Sequence, residues 1–357
     1  MDVQTHIPSY NITIEPEDLD ELQADLWSDD PVMAYLEINR NVYDIDIVYR
    51  GSHIRKFPKK SYQCFLGRGR EFHLNSEYKD PSLMRNKLSM DFFSDIGVHA
   101  PKTQHVRLYI NKIYQGVYLR LESVNRQFLK VRNLTLGQIW YAEDDDANFS
   151  LISPLDERVK ETFEAGYSRK VGTREDDAYL SELIYKINTI PKSSFGSEVT
   201  KILNVEKYLR WLAGVVCTQN FDGFIHNYAL YRPRDTGLFE VLPWDYDATW
   251  GRDIHGRVME YDFIPIQGFN TLTARLLDDN NHRKRYQNIL KQILNNQFTT
   301  HYLESPISTM HSRLRPYVMK DPYIQNNLQK YDGEPEVMLQ YIEQRSRYLR
   351  KHLSDLD

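Results

Sequence analysis

The residues of this chain that could do chemistry together lie near its middle, in segments 220–227 and 243–247. The first segment contains Asp222 and Asn227, and the second contains Asp245 at the end of an apolar run. An aspartate can orient an acceptor hydroxyl and take its proton, and carboxylate and amide oxygens are the ligands that Mg²⁺ or Mn²⁺ prefers. These residue types together predict metal-assisted transfer of a phosphoryl group.

Asp222 and Asn227 are separated by four residues, which is the spacing of the protein-kinase catalytic loop. In that loop the Asp handles the acceptor hydroxyl and the Asn holds a metal ion. The spacing alone is weak evidence, because Asp and Asn are also common in ordinary loops. Asp247 could bind a second metal or cap the following turn, and the spacing favours neither.

The flanking sequence predicts the elements that would position these residues. Residues 205–217 have the length and apolar content of a buried helix, and residues 227–232 and 238–242 are typical of two strands around a turn. A hairpin of this size returns the chain to its starting end. We therefore expect Asn227 and Asp245 to lie close enough to share one divalent cation.

A segment near the N-terminus could cover a nucleotide. Residues 41–50 alternate apolar and polar side chains, as a half-buried strand does, and a second strand is predicted at 61–66. Between them, backbone N–H groups, the Ser52 hydroxyl and a Lys or Arg, such as Arg50, could face a triphosphate. An ordinary hairpin with a solvated basic face is an equally good interpretation of this segment. This segment contains no G-x-G-x-x-G, and the sequence contains no G-x-x-x-x-G-K-[ST]. Neither motif of a glycine-rich phosphate loop is therefore present.

Composition excludes several classes of protein. The chain has 357 residues, 45 basic and 50 acidic, and its net charge of −5 gives no basic footprint for nucleic acid. Cys64 and Cys217 are too few for a disulfide scaffold or a zinc site, so we expect buried free thiols. Residues 1–8 lack the pattern of a signal peptide, and no apolar run reaches the roughly 20 residues of a membrane span. We expect no membrane partner and synthesis in the cytoplasm.

The order of predicted elements indicates an α+β fold with two lobes. Strands dominate the first third of the chain, and the part beyond residue 176 is mainly helical. We expect a β-rich small lobe at 1–124 and a mainly helical large lobe at 125–357, with a hinge near 122–124. The predicted helices span 17–27, 81–96, 125–132, 177–190, 205–219, 271–298, 302–319 and 336–353.

With these residues laid out, the chain closely resembles the CotH family of spore-coat protein kinases, over nearly its whole length. The resemblance implies an atypical, bilobal protein-kinase-like fold and phosphorylation of Ser or Thr that depends on ATP and on Mg²⁺ or Mn²⁺. It also implies Ser-rich coat proteins of the CotB and CotG type as substrates, a role in outer-coat assembly, and a location in the spore coat after synthesis in the mother cell. The matching segments are 49–55, 78–88, 116–119, 144–150, 221–231, 243–251 and 268–273.

The resemblance also assigns residues. The family's catalytic Asp falls on Asp222 and its metal-binding Asp on Asp245, whereas Asn227 matches the metal-binding Asn of the wider kinase pattern. The nucleotide-contacting lysine falls on Lys60, with Lys59 as the alternative, and Arg50 and Ser52 complete the expected nucleotide contacts. The usual kinase segments His-Arg-Asp, Asp-Phe-Gly and Ala-Pro-Glu are absent. The predicted helix 81–96 contains no Glu, so a Lys–Glu ion pair cannot be carried over.

Three other functions stay open on the sequence. A kinase-like enzyme that transfers AMP would use the same metal ligands around an inverted nucleotide. A non-catalytic coat scaffold is disfavoured, because it needs no such trio as Asp222, Asn227 and Asp245. A small-molecule phosphotransferase would need an acceptor pocket that the sequence does not reveal.

Overall fold

The computed structural model describes residues 6–357. Residues 1–5 lie outside the described residues. They belong to segment 1–8, in which the sequence predicts no signal peptide. The strands are β1 (Ser9–Thr13), β2 (Val32–Ile38), β3 (Asn41–Tyr49), β4 (Tyr62–Phe65), β5 (Glu71–Asn75), β6 (Thr103–Ile110), β7 (Ile113–Glu122), β8 (Gly137–Ala142), β9 (Tyr167–Val171), β10 (Tyr228–Pro233) and β11 (Glu240–Pro243). The helices are α1 (Pro16–Ala24), α2 (Arg85–Asp95), α3 (Arg126–Val131), α4 (Asp177–Thr189), α5 (Lys192–Glu198), α6 (Val205–Thr218), α7 (Thr271–Asp278), α8 (Asn280–Asn295), α9 (Thr300–Val318) and α10 (Leu328–Lys351).

The first seven strands close into a barrel in the order β1-β2-β3-β4-β5-β7-β6. Closure comes from a parallel pairing of β1 with β6, in which Ser9 lies opposite Arg107. In β2 the buried residues Val32, Ala34 and Leu36 alternate with exposed ones, so one face of the strand fills the barrel. A closed sheet leaves no edge strand open to pairing with another chain.

The other four strands form a separate antiparallel sheet in the order β11-β10-β8-β9. All six residues of β8 are buried, because this strand is central and covered on both faces. The sheet lies beside the helical part of the core, where Trp140 and Tyr228 pack with residues of α6.

The helical core is built around α6, in which nearly every residue is buried. Gly214 of α6 allows a close approach to α2, because a Cβ at this position would lie 2.3 Å from the Phe93 ring. Helix α2 therefore packs into the helical core and not into the barrel. Helix α6 ends at Gln219, whose φ of 55° places it in the left-handed region.

The structure confirms the mixed α+β class, the mainly helical C-terminal part and the two buried free cysteines. It differs from the predicted elements in several places. The helix predicted at 81–96 begins only at Arg85. The helix predicted at 271–298 is two helices, α7 and α8, because Asp279 adopts an extended conformation and caps α8. The sequence does not predict strands β1, β2, β5, β8 and β9 or helix α5, and helix α10 begins at Leu328, before the predicted start at residue 336. Among the described residues, no helix has the length and apolar character to cross a bilayer.

Candidate functional site

The β10–β11 hairpin brings Asn227 and Asp245 to the same end, as predicted. Tyr228 pairs with Pro243, so the residues flanking this pair are neighbours as well. The Trp244 N–H donates to the Asn227 carbonyl at 3.2 Å, and the Asn227 N–H donates to the carbonyl of Ala142 in β8, also at 3.2 Å. The position of Asn227 is thus fixed by two strands.

Both of these residues have left-handed backbones, with φ of 58° at Asn227 and 58° at Asp245. Residues other than glycine adopt the left-handed region at a cost in conformational energy, although Asn and Asp tolerate it better than most. Such conformations persist where surrounding bonds hold them. Here the strain falls on the two residues that the sequence predicts as metal ligands.

Asp222 follows α6 on a short 3₁₀ turn, Asp222–Phe224. Asn220 connects this turn to the hairpin, because its Oδ1 accepts from the Gly223 N–H at 3.2 Å and its Nδ2 donates to the Asp245 carbonyl at 3.2 Å. Asn220 is almost completely buried, with 2% of its surface exposed. The loop with Asp222 and the strand end with Asp245 are therefore held by one side chain.

A cavity of about 760 Å³ lies between the barrel and the second sheet. Asp247 lines this cavity. So do five of the six predicted site residues: Arg50, Ser52, Asp222, Asn227 and Asp245.

The structure does not bring Lys60 to this cavity. Its Nζ donates to the Arg55 carbonyl at 2.6 Å, within the loop between β3 and β4. Lys59, the alternative, is buried elsewhere, where its Nζ donates to the Val117 carbonyl at 2.7 Å and pairs with Asp321 at 3.2 Å.

Arg50 and Lys170 bring positive charge to the cavity. The Arg50 guanidinium donates to Asn75 Oδ1 at 2.7 Å and lies 5.6 Å from the centre of the Trp244 ring. Burial lowers the pKa of Arg50, and the nearby Asp245 carboxylate opposes that effect. Lys170 pairs with Glu143 at 2.7 Å. Arginine stays protonated in proteins, so Arg50 is a fixed cation beside the predicted metal ligands.

Buried carboxylates crowd the same region. Glu77 Oε1 accepts from Asn86 Nδ2 at 3.2 Å, whereas the buried Glu77 Oε2 has no hydrogen-bond partner. Burial, and then the charge of Asp247, hold the pKa of Glu77 well above its usual range. Burial and Asp245 raise the pKa of Asp247 to about 8. A divalent cation would relieve this crowding, so the donor set fits a metal.

The carboxylates do not form a closed metal cage. Within the described part of the chain, no group of three or more His, Cys, Asp or Glu side chains is arranged to hold a metal ion. Mg²⁺ commonly takes only one or two protein carboxylates and completes its shell with phosphate and water. The arrangement is thus suited to a metal that arrives with a phosphorylated ligand.

Aromatic rings also line the cavity, beside Arg50 and Asp245. The rings of Tyr141 and Trp244 have centroids 4.8 Å apart, and the His73 ring meets Trp244 edge-on at 5.3 Å. His73 Nε2 lies 2.8 Å from the Ser123 hydroxyl, whereas its buried Nδ1 has no partner. Burial, and then the Arg50 charge, hold the pKa of His73 well below its usual range, so the ring is neutral. A flat base could stack here while its phosphates reach Arg50 and Asp245.

His226 is also part of the site. Its Nε2 lies 4.0 Å from Asp222 Oδ2, and its Nδ1 lies 3.0 Å from Asp145 Oδ1, without the geometry of a hydrogen bond. Sequence reasoning assigned no role to His226, although it lies inside the loop that carries Asp222 and Asn227. The sequence also assigns no role to Trp244, which precedes Asp245, or to four lining residues from distant strands and loops: His73, Glu77, Tyr141 and Lys170.

Comparisons with known proteins decide the family. A family model described as "CotH kinase protein" matches residues 47–349. The chain belongs to the CotH family. Inner spore coat protein H of Bacillus subtilis (strain 168) is 55% identical to it over 360 residues, covering 99% of each chain. Inner spore coat protein H-like protein of the same strain is 27% identical, over 89% of this chain and 92% of its own. The predicted family is confirmed, and so is the predicted association with the spore coat.

One solved kinase structure has a weak resemblance to this CotH protein. The proinflammatory kinase CtkA of Helicobacter pylori is 10% identical, with a TM-score of 0.38 over 83% of this chain and 94% of its own. A similarity of this size is too weak to align an active site. The roles of Asp222, Asn227 and Asp245 therefore depend on the geometry described above.

Proposed function

We propose that this CotH protein is a protein Ser/Thr kinase that uses ATP and Mg²⁺ or Mn²⁺. The observation that carries the proposal is the cavity in which Asp222, Asn227 and Asp245 meet. Three oxygen-bearing side chains from separate segments line it together, and the cation Arg50 lies beside them. The description of the family as a kinase family supports the same activity.

In the proposed reaction, each group has one task. Asn227 and Asp245 hold the divalent ion, which when bound neutralises charge on the ATP phosphates. Arg50 adds fixed positive charge at the same end of the cavity. Asp222 orients the acceptor hydroxyl and takes its proton late, because phosphoryl transfer depends on positioning and charge stabilisation more than on a strong base. Asp222 remains 26% exposed, which leaves it accessible to an acceptor.

The proposed substrates are Ser-rich coat proteins of the CotB and CotG type, and the proposed biological role is assembly of the outer spore coat. The resemblance to the family implies both, and the name of the B. subtilis relative supports a coat setting. That name refers to the inner coat, so the role in the outer coat is tested separately by comparing coat layers in spores that carry an inactive variant.

Transfer of labelled phosphate tests the proposal. Wild-type protein with [γ-³²P]ATP, Mg²⁺ and a Ser-rich acceptor should label the acceptor, and Asp222→Asn should reduce that rate by roughly hundredfold or more. Asp20→Asn, an exposed change on α1, should keep the wild-type rate. Label from [α-³²P]ATP on the acceptor would instead identify AMP transfer. Wild-type rates in Asp222→Asn would contradict the mechanism.

A further inference from the structure

Two neighbouring exposed phenyl rings lie at the start of the loop that carries Asp222, and neither is among the residues that line the cavity. Phe221 and Phe263 are 39% and 56% exposed, and their ring centroids lie 5.7 Å apart. We call this pair of rings the phenyl shelf. A single exposed ring is ordinary on a protein surface, whereas adjacent exposed rings next to a site are typical of a recognition surface.

Phe221 is anchored to the core through a chain of rings. Its ring lies 4.9 Å from the ring of Phe269, which in turn lies 4.5 Å from the ring of Phe224. Phe224 is fully buried in the helical core. The exposed ring of Phe221 is therefore supported from beneath.

The backbone around Phe263 is held by buried polar groups. Gln219 Oε1 accepts from the Ile264 N–H at 2.9 Å, and Gln219 Nε2 donates to the Glu260 carbonyl at 3.0 Å. Arg345 donates to the Ile264 carbonyl at 2.7 Å. Gln219 also ends α6 immediately before the loop that carries Asp222. The Gln219 side chain thus fixes the segment that carries Phe263, and the Gln219 backbone leads into the segment that carries Phe221. One residue therefore links both halves of the shelf, and a preorganised surface binds at a lower entropic cost.

Apolar surface also reaches the mouth of the cavity. Ile254 is 48% exposed and lines the same cavity as Asp222. The loop that carries it passes close to the segment before α2, because a Cβ on Gly256 would lie 2.4 Å from the Lys79 carbonyl. An acceptor that reaches Asp222 from this side therefore meets apolar groups.

We propose that the phenyl shelf binds an apolar or aromatic side chain of the acceptor polypeptide, within about three residues of the Ser or Thr that is phosphorylated. Phe221 adjoins Asp222 in the chain, so a polypeptide that presents a hydroxyl to Asp222 passes beside the shelf. An extended acceptor advances about 3.3 Å per residue, so side chains up to three residues from the acceptor hydroxyl cover about 10 Å on either side of Asp222. This proposal deepens the proposed kinase function and rests on it.

Phosphorylation of matched peptides tests the proposal. Each peptide carries one acceptor Ser, and a single neighbouring position, moved from three residues before it to three residues after it, is Phe or Ala. At one or more positions the wild-type kcat/KM should be roughly tenfold higher for the Phe peptide than for the Ala peptide, as expected for burial of part of an aromatic side chain. Phe263→Ser should bring that ratio close to one, and Phe263→Leu should restore part of it.

The control is Ile113→Ser, which changes a 66% exposed apolar residue on the barrel and should keep the wild-type ratio. A wild-type ratio of one at every position, or an unchanged ratio in Phe263→Ser, would overturn the proposal. If no peptide is labelled, the proposed kinase function fails. The shelf is then tested by the affinity of a fluorescent Phe peptide for wild type and for Phe263→Ser, and equal affinities would overturn binding at the shelf. A wild-type dimer that Phe263→Ser dissociates would show that a second copy covers the shelf, which also overturns the proposal.

Discussion

At the scale of single residues, the site combines strain with unsatisfied charge. Asn227 and Asp245 both have left-handed backbones, and Glu77 keeps a buried carboxylate oxygen without a partner. Each of these features costs folding free energy. Left-handed residues also occur at turns elsewhere in the chain, but here two of them line the same cavity as the unpartnered Glu77 oxygen. This coincidence indicates that binding a ligand, and not the stability of the free chain, explains the arrangement.

The phosphate contact can be tested by comparing two cations. Arg50→Met should weaken ATP binding by roughly tenfold or more, because it removes a charge-assisted contact in the cavity. Lys60→Met should have little effect, since Lys60 does not line the cavity and its ammonium bonds to the Arg55 carbonyl. Calorimetric titration with a non-hydrolysable ATP analogue measures both affinities. A larger loss in Lys60→Met than in Arg50→Met would return the phosphate contact to Lys60, as the sequence predicted.

At this scale the sequence was informative where residue type and local spacing carry the signal. Asp222, Asn227 and Asp245 could be selected because their spacing matches a chemical task. Lys60 was selected from its place at the start of a strand, yet the loop before β4 turns its side chain toward Arg55. Side-chain direction in such a loop depends on bonds such as that from Arg55 to the Gly51 carbonyl, at 2.7 Å, which no periodicity shows.

At the scale of elements, the helix and the hairpin around the site were predictable, whereas long-range pairing was not. The α6 helix and the β10–β11 hairpin depend on contiguous residues, and both were predicted. β8 was missed, because its six buried residues show no alternation, and it pairs with β10 from almost ninety residues away in the chain. The break at Asp279 had a detectable signal, since Asp-Asp-Asn-Asn at 278–281 is rich in helix-capping residues.

A buried histidine at the junction of the barrel and the segment before α2 should make stability depend on pH. His105 in β6 lies with Nε2 2.7 Å from the Leu83 carbonyl, and burial lowers its pKa to about 4. Above a pH of about 6.5, which is the pKa of histidine in the unfolded chain, His105 is neutral in both the folded and the unfolded state. Its titration then costs no folding stability. As pH falls from about 6.5 to 4, only the unfolded chain takes up the proton, and this group alone should cost roughly 3 kcal/mol.

Chemical unfolding of the wild type and His105→Gln as a function of pH measures this effect. The difference in unfolding free energy between the two proteins should shrink as the pH falls through this window, because the variant lacks the titrating group. His301→Gln, a change at an exposed position, serves as the control. His99, whose pKa burial also lowers to about 4, contributes equally to all three proteins and cancels in the comparison. A difference that stays constant with pH would contradict the prediction.

At the scale of the whole molecule, the site exists only because distant parts of the chain meet. The cavity takes residues from the barrel, from the second sheet and from the loop after α6. The barrel is itself tied to the C-terminal part by the buried pair of Lys59 and Asp321, with Asp321 also accepting from the Val117 N–H at 2.8 Å. His73, Glu77 and Tyr141 could not be predicted as site residues, because they are distant in sequence from Asp222 and Asp245. The boundary of the two predicted lobes at residue 124 stays a prediction.

The central claim is that Asp245 holds a divalent metal for ATP while Asp222 acts only on the acceptor. The most direct measurement is the affinity for ATP with and without Mg²⁺ in wild type, Asp245→Asn and Asp222→Asn. We expect Mg²⁺ to strengthen ATP binding in wild type and in Asp222→Asn, and to lose most of that effect in Asp245→Asn. An equal effect of Mg²⁺ in Asp245→Asn and wild type, or no ATP binding by the wild type, would contradict the account.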